Sequence, residues 1–419
     1  MNAEIKERVA AINSGIIPEG YKKTKVGIVP VEWDIKALGK ISQFLDNQRK
    51  PVKENERSSG IYPYYGASGI IDYVDDYLFD GEYILLGEDG ANIVMRSSPL
   101  AFKVKGKMWI NNHAHVISPN DNCNIDFLVN ILESLNYEKY NSGTAQPKLN
   151  REVCESITLP FPPLPEQQKI AEILSTQDKL IELQEKKIEQ LKELKKAYLQ
   201  KMFPQKGSKY PELRFKGFTE PWEQRKLSDM VERVTRKNEN LESELPLTIS
   251  AQYGLIDQNE FFDKRIASRD VSGYYLLKKG EFAYNKSTSS DAPWGAVKRL
   301  DRYEMGVLST LYIVFALKED GNIDSDFLVS YYDTDCWHKG VQAIAAEGAR
   351  NHGLLNITPA DYFETVLTVP SDVKEQHQIG TFFAKLDTLI TLHQRKSEQE
   401  KQKKKALMQL LLTGIVRTK

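Results

Sequence analysis

A long segment of this chain occurs twice, and this duplication limits the folds that the chain can adopt. Residues 166–200 and 375–409 align without a gap, 209 residues apart, and fifteen of the thirty-five aligned positions are identical. The identical pairs include Glu166/Glu375, Gln167/Gln376, Ile170/Ile379, Asp178/Asp387 and Lys195/Lys404. A spacing this long indicates a duplicated structural unit and not a solenoid, whose repeats are only a few tens of residues long.

Both copies are predicted to be long helices. Apolar residues recur every three, four or seven positions from Pro165 to Met202, and neither Gly nor Pro interrupts them. The second helix is predicted from Asp372 to Leu412, and its centre at 394–405 is almost entirely polar. An isolated helix with such a centre is only marginally stable and gains most from a partner helix. We therefore expect the two copies to pair as an antiparallel coiled coil.

A stretch of about 150 residues precedes each helix, which is a common size for one domain. Both stretches open with the pattern W-x-x-x-x-L, at Trp33 and Trp222, and close with similar loops, GTAQPKLN at 143–150 and GARNHGLLN at 348–356. Runs such as EYILLG, LAFKVKG and TLYIVFAL predict strands, and short helices are expected at 126–135 and 326–332. The predicted fold class is α+β, with two globular domains separated by the two helices. The predicted boundaries are 1–160 for the first domain, 161–206 for the first helix, 207–369 for the second domain and 370–419 for the second helix.

Composition excludes several classes of protein. No stretch approaches the ~20 apolar residues that span a bilayer, and residues 1–11 lack the apolar core of a signal peptide, so a cytoplasmic protein is expected. The three cysteines are far apart in sequence and predict neither a zinc site nor a disulfide framework. A formal net charge of −1 argues against a protein that binds nucleic acid alone and without sequence preference.

The motifs of common enzyme classes are incomplete in this sequence. GIIPEGYK at 15–22 resembles a phosphate-binding loop but has Tyr21 at the lysine position. GEDGAN at 87–92 lacks the spacing of a dinucleotide-binding loop, and a hairpin turn without a following helix is expected there. His113 and His115 alternate along a predicted strand, but no Cys or carboxylate cluster is expected to accompany them, so no metal site is predicted.

The ordered combination of these features resembles the specificity subunit of a type I restriction-modification system. The resemblance covers essentially the whole chain: the openings at Trp33 and Trp222, the closing loops, and the helix starts PLPEQ at 163–167 and KEQ at 374–376. It implies that the two globular halves are target recognition domains for double-stranded DNA. It further implies a bipartite target, whose gap is set by the helices. The middles of the halves, about 40–140 and 230–345, do not align, so the target should be asymmetric.

The resemblance also implies partners and a division of labour. Two modification (methyltransferase) subunits would dock on the paired helices, and restriction subunits would add ATP-dependent translocation and cleavage. S-adenosylmethionine, ATP and Mg would belong to those partners, while this chain would be non-catalytic and bind no cofactor. The second helix departs from the pattern, because Pro370 to Val373 replace the PLP start and His377 matches Gln168. This departure puts the detailed symmetry of docking in doubt.

Candidate DNA contacts are polar side chains in predicted turns and closing loops, because such groups bind base edges and phosphates. In the first half they are Tyr64, Tyr65, Ser68, Asn111, Asn112, Thr144, Gln146 and Lys148. In the second half they are Ser250, Gln252, Tyr253, Asn285, Lys286, Ser287, Arg350, Asn351 and His352. Each has a structural alternative, since Asn and Ser form turns and tyrosines complete cores.

Two other interpretations of the whole chain remain open. In one, the duplicated helices form an interaction scaffold and the globular halves bind proteins. In the other, a nuclease or methyltransferase site is scattered through the sequence.

Overall fold

The computed structural model describes residues 3–143, 146–205, 207–250, 253–289, 292–345 and 353–418. It divides into two compact units. Unit 1 comprises Met1–Glu185 and Arg395–Lys419, and unit 2 comprises Lys186–Gln394. Each long helix contributes to both units, so this partition differs from the four consecutive segments expected from the sequence.

Unit 1 and the first long helix contain the following elements. The helices are α1 (Ala3–Asn13), α2 (Leu38–Ile41), α3 (Asn92–Met95), α4 (Ile125–Ser134), α5 (Arg151–Ser156) and α6 (Leu164–Met202). The strands are β1 (Tyr21–Thr24), β2 (Gly27–Pro30), β3 (Asp34–Ala37), β4 (Ser42–Phe44), β5 (Ser59–Gly66), β6 (Gly69–Val74), β7 (Phe79–Gly87), β8 (Ala101–Ile110), β9 (Ala114–Pro119) and β10 (Thr158–Phe161).

Unit 2 and the second long helix follow. The helices are α7 (Leu227–Met230), α8 (Gln258–Phe262), α9 (Ser325–Tyr332), α10 (His338–Ile344), α11 (Pro359–Phe363) and α12 (Val373–Leu411). The strands are β11 (Glu223–Lys226), β12 (Val231–Arg233), β13 (Leu247–Ser250), β14 (Gly254–Asp257), β15 (Tyr275–Lys278), β16 (Phe282–Asn285), β17 (Ala296–Arg299), β18 (Met305–Leu308), β19 (Ile313–Leu317) and β20 (Val366–Val369).

The main sheets of the two units share one strand order. In unit 1 the order is β4-β9-β7-β8-β5-β6, and in unit 2 it is β12-β19-β16-β17. In both sheets these four strands pair antiparallel: β4, β9, β7 and β8 in unit 1, and β12, β19, β16 and β17 in unit 2. The strand that comes last in the chain, β9 or β19, lies between the two that come first, β4 and β7 or β12 and β16. Unit 1 extends this core by β5, which pairs parallel with β8, and by β6. Unit 2 instead carries the separate ribbons β13–β14 and β15–β18. The duplication therefore includes a sheet core that aligning the two sequences does not reveal.

Each unit is closed by the same short ribbon at the start of its long helix. Strand β3 pairs with β10 in unit 1, and β11 pairs with β20 in unit 2. Trp33 and Trp222, which precede the first strand of each ribbon, are 0% and 1% exposed. The opening tryptophans are therefore core residues, and burying a large apolar side chain contributes about 1.5–3 kcal/mol.

The predicted antiparallel pairing of the long helices is confirmed within each unit. In unit 1, Asp178 near the start of α6 forms a 2.6 Å ion pair with Lys404 near the end of α12. In unit 2, Lys195 near the end of α6 lies 2.7 Å from Asp387 in the first half of α12. These four residues are two of the identical pairs of the repeat. The duplicated sequence thus places the same interhelical ion pair in each unit.

The described segments include no helix long and apolar enough to cross a membrane.

Candidate nucleic-acid interface

One end of the six-stranded sheet in unit 1 brings the predicted contact segments together. The Asn111 amide, after β8, donates to the carbonyl of Tyr65 in β5 at 3.1 Å. The Glu88 amide, after β7, donates to the carbonyl of His113 at 2.8 Å. The Leu149 amide, in the closing loop, donates to the carbonyl of Glu88 at 2.7 Å. Main-chain hydrogen bonds therefore join the β5 end, the β8–β9 turn, the β7 end and the closing loop.

The predicted residues of this cluster differ in exposure. Ser68, Asn112, Gln146 and Lys148 are exposed, and Tyr65 is half-buried. Tyr64 is 1% exposed and its hydroxyl accepts a hydrogen bond from the Val52 amide.

Asn111 is 5% exposed, and its Oδ1 accepts from the His113 amide. Tyr64 is thus a core residue and Asn111 stabilises a turn, which are the structural alternatives that the sequence left open for them. Thr144 lies outside the described residues.

A set of ionised side chains lies under the closing loop, and sequence reasoning missed it. We call Asp46, Arg49, Glu88 and His115 the His115 network. His115 Nδ1 is 2.6 Å from Asp46, and its Nε2 donates to the Leu149 carbonyl at 2.8 Å. Arg49 donates to Glu88 at 2.7 Å and to the Ala114 carbonyl at 2.7 Å. The network links β9, the closing loop, the end of β7 and the segment after β4.

His115 is charged at neutral pH in this environment. Burial by itself lowers the pKa of His115, but hydrogen bonds and charge interactions with Asp46 and Cys154 together outweigh it and raise the pKa to about 10. Burial raises the pKa of Asp46, yet the hydrogen bond from His115 leaves that pKa below its usual value. The network is therefore built from two cations and two anions.

The expectation that no Cys or carboxylate cluster accompanies the two histidines was wrong. Asp46 and Glu88 lie beside His115, and Asp89 lies 2.9 Å from His113 Nδ1. These carboxylates are distant from the histidines in sequence and meet them only through the order of the strands. The oxygens and imidazole of the His115 network could ligate a metal, but Arg49 already neutralises Glu88 and both His115 nitrogens are engaged. Metal binding would require these contacts to break.

The GEDGAN segment also differs from expectation. One helical turn, α3, begins at Asn92, the last residue of the segment, and is capped at its C-terminus by Arg96, which has a left-handed φ of 50°. The segment therefore ends β7 and leads into α3, and a longer connection than a hairpin turn joins β7 to β8. Tyr21, in the sequence that resembles a phosphate loop, begins β1 and donates its hydroxyl to the Gly414 carbonyl at 2.9 Å.

In unit 2, the end of β16 meets the closing loop as the end of β7 does in unit 1. The Thr288 amide donates to the Gly353 carbonyl at 2.7 Å, and the Leu355 amide donates to the Lys286 carbonyl at 3.0 Å. Ser287 is exposed, and Asn285 and Lys286 are half-buried. The sheet core therefore presents a strand end and a closing loop together in both units.

The other predictions in unit 2 lie in the β13–β14 ribbon or outside the described residues. Ser250 and Tyr253 belong to the β13–β14 ribbon, where the Ser250 hydroxyl accepts from the Tyr253 amide. Ser250 is 8% exposed, whereas Tyr253 is 51% exposed. Gln252, Arg350, Asn351 and His352 lie outside the described residues.

Comparisons with known proteins agree with this architecture. Residues 30–193 match the model of the type I restriction modification DNA specificity domain. The type I restriction enzyme EcoprrI specificity subunit of Escherichia coli is 33% identical over 156 residues, which are 36% of this chain and 37% of that protein. The match therefore spans little more than a third of that relative. The type I restriction enzyme MjaVIII specificity subunit of Methanocaldococcus jannaschii is 24% identical over 96% of this chain and 97% of its own.

A solved structure extends the similarity to the fold. The type I restriction-modification S subunit from M. genitalium covers 92% of this chain and 96% of its own, with a TM-score of 0.56 and 13% identity. At that identity the match shows a shared fold. By its fold and by these sequence similarities, the chain resembles the specificity subunits of type I restriction-modification systems.

Proposed function

We propose that this chain reads an asymmetric, bipartite DNA target for a type I restriction-modification complex, with one half-site read by each unit. The observation that carries the proposal is the shared sheet core, which brings a strand end and a closing loop together in both units. The strands around that core differ between the units. A common scaffold with different surroundings suits two readers of unlike base sequences.

The exposed groups at the sheet end of unit 1 have suitable chemistry. Amides such as Asn112 and Gln146 can pair with base edges, and Lys148 can hold a phosphate. Lys148 lies 3.4 Å from Glu88 and its side chain is 49% exposed. This residue can exchange a carboxylate partner for a phosphate without leaving the loop.

Two modification subunits are proposed to dock on the paired helices. The support is the duplicated helix sequence, whose interhelical ion pair recurs in both units, Asp178 with Lys404 and Lys195 with Asp387. A net charge of −1 further suggests that partners supply much of the phosphate contact. In this proposal the chain is non-catalytic, and S-adenosylmethionine, ATP, Mg and the restriction activity belong to partner subunits.

The test is a base-resolution map of adenine methylation in cells that express this chain with its modification subunit. Cells lacking the chain are the control. The expected result is a new bipartite, asymmetric motif that depends on the chain. If a stable complex forms and no new motif is detected, the scaffold interpretation gains support and the proposal fails.

Removal of the loop lysine should weaken the use of one half-site. Lys148→Ala is expected to reduce methylation of cognate DNA several-fold. If the lysine neutralises one phosphate, the variant should also lower the slope of log affinity against log salt concentration by about one unit. Lys139→Ala, elsewhere in unit 1, is the matched lysine control. Equal methylation by the Lys148 variant and the control would remove the closing loop from the interface.

A further inference from the structure

The closing loop of unit 1 is anchored at its base by both main chain and side chains. The Ser142 amide donates to the Lys148 carbonyl at 2.9 Å, which closes the loop. Asn141 Oδ1 accepts from the amides of Gly143 at 3.0 Å and Lys148 at 2.9 Å. Leu149 then donates its amide to Glu88 and accepts from His115. Both backbone groups of Leu149 are thereby tied to the sheet, next to the exposed Lys148.

The His115 network is a poor device for stability alone. Burying an ionised group costs several kcal/mol before its partners compensate, and well-packed apolar residues are often as stable or more so. His115 and Asp46 are 1% and 8% exposed by side chain, and Arg49 and Glu88 are 12% and 14% exposed. What these groups add over apolar packing is direction, because each donor meets an acceptor at a set angle.

The directional contacts converge on the loop. His115 holds the Leu149 carbonyl, while Glu88 lies within reach of Lys148 and its main chain pairs with Leu149. Arg49 fixes the Glu88 carboxylate and binds the Ala114 carbonyl at the start of β9. Asp46 orients His115 and accepts the Val116 amide at 2.9 Å. A change in any of the four would move the loop relative to the strand ends.

We infer that the His115 network positions the closing loop of unit 1 for DNA, so that His115 governs discrimination at one half-site without touching it. The inference rests on the proposed function. His115 is a positioning residue, because its side chain is buried and its ring nitrogens hydrogen-bond to Asp46 and Leu149 within the protein. The ligand concerned is one half-site of double-stranded DNA.

The test compares discrimination at the two half-sites. The complex of the full chain with its modification subunit would methylate the cognate duplex and duplexes with one base pair changed in either half-site. The half-site that responds to Lys148→Ala is assigned to unit 1. His115→Gln, which keeps an amide donor but removes the charge, is expected to lower discrimination at that half-site about tenfold, the scale of one mismatched base pair. Discrimination at the other half-site should stay within about twofold of its value in the wild-type complex.

Glu133→Gln is the matched control for loss of a charged group in unit 1. Glu133 pairs with Arg96 and accepts the Leu100 and Ala101 amides, and it belongs to neither the network nor the loop. Neither half-site should change in this variant. If His115→Gln does not assemble with its partner, Arg49→Lys decides, because it keeps the charge but loses the geometry that joins Glu88 to Ala114.

The outcomes separate this inference from the proposed function. Loss of discrimination at the unit 1 half-site alone supports the positioning role. Unchanged discrimination, or an equal loss at both half-sites, overturns the positioning role and leaves the proposed function intact. If the wild-type complex shows no preference for a bipartite DNA target, the proposed function fails and this inference fails with it.

Discussion

At the scale of single residues, buried charges in both units depend on partners that are distant in sequence. In unit 2, Lys195 lies 2.7 Å from both Asp333 and Asp387, and Lys298 lies 2.7 Å from Asp333. Burial alone raises the pKa of Asp333, but Lys298 and Lys195 outweigh it and lower the pKa to about 2. Lys195 is therefore shared by two carboxylates and joins the α6–α12 pair to the end of α9.

Loss of this shared cation should destabilise unit 2. Lys195→Met leaves Asp387 without its lysine and Asp333 with Lys298 alone, and removing one partner of a buried ion pair costs roughly 3–5 kcal/mol. Because part of the Asp387 side chain is exposed, we expect a loss at the lower end of that range. Urea unfolding of the full chain, followed by tryptophan fluorescence, measures the change. Lys196→Met, at the neighbouring exposed position, is the control, and equal midpoints for the two variants would contradict the shared role.

At the scale of elements, each long helix begins with the same buried glutamine. Gln167 accepts the Asn124 amide at 2.9 Å and donates to the Pro162 carbonyl at 2.8 Å. Gln376 accepts the Asp324 amide at 2.8 Å and donates to the Pro370 carbonyl at 2.8 Å. Both glutamines are 0% exposed. They tie the first turn of each long helix to the N-terminus of α4 or α9, which explains why the same glutamine occurs in both copies.

Replacing either glutamine should loosen one helix start. Gln167→Leu leaves the Asn124 amide and the Pro162 carbonyl without this partner, and each unsatisfied buried polar group costs about 1–3 kcal/mol. Faster amide hydrogen exchange is expected in the first turns of α4 and α6, while the first turns of α9 and α12 keep their protection. The exposed Gln168→Leu is the control. Exchange that accelerates equally in both units would show global destabilisation instead of a local anchor.

At the scale of the whole molecule, one architecture is used twice with different additions. Both units have the same four-strand core, the same closing ribbon and a long helix that starts from it. The proposed asymmetric target follows from the parts that differ, β5–β6 in unit 1 and the two ribbons in unit 2. The two helices connect the units, so their lengths should set the gap between the half-sites.

Lengthening both helices together should change that gap and leave both half-site sequences intact. Seven residues of coiled-coil sequence inserted after Glu185 and after Gln394 add about 10 Å at about 1.5 Å per residue. At about 3.4 Å per base pair this corresponds to about three base pairs. A methylation map of the variant reports the new gap. The same insertion in α6 alone should abolish methylation, because it shifts the register of Asp178 against Lys404. An unchanged gap in the variant with both insertions would refute the spacer role.

The sequence by itself determined the long helices, the short helices α4 and α9, the core strands β7, β8, β9 and β19, and the openings at Trp33 and Trp222. These features depend on local periodicity and turn residues, which a window of the sequence contains. It also indicated the closing loops as candidate contacts. The DNA contacts themselves stay predictions, including those at Thr144, Gln252 and 350–352.

Only the tertiary structure decided which side chains meet. Asp46 and His115 are 69 residues apart and Lys195 and Asp387 are 192 apart, so no local pattern could pair them. The strand order shared by β4, β7, β8, β9 and their counterparts was likewise invisible, because the middles of the two halves do not align in sequence although their strands pair in the same order. Strand order brings the end of β7 against the closing loop, and it therefore decides where a charged His115 can hold Leu149. The physical reason is that sheets and paired helices join groups by position in space, which local sequence preferences do not encode.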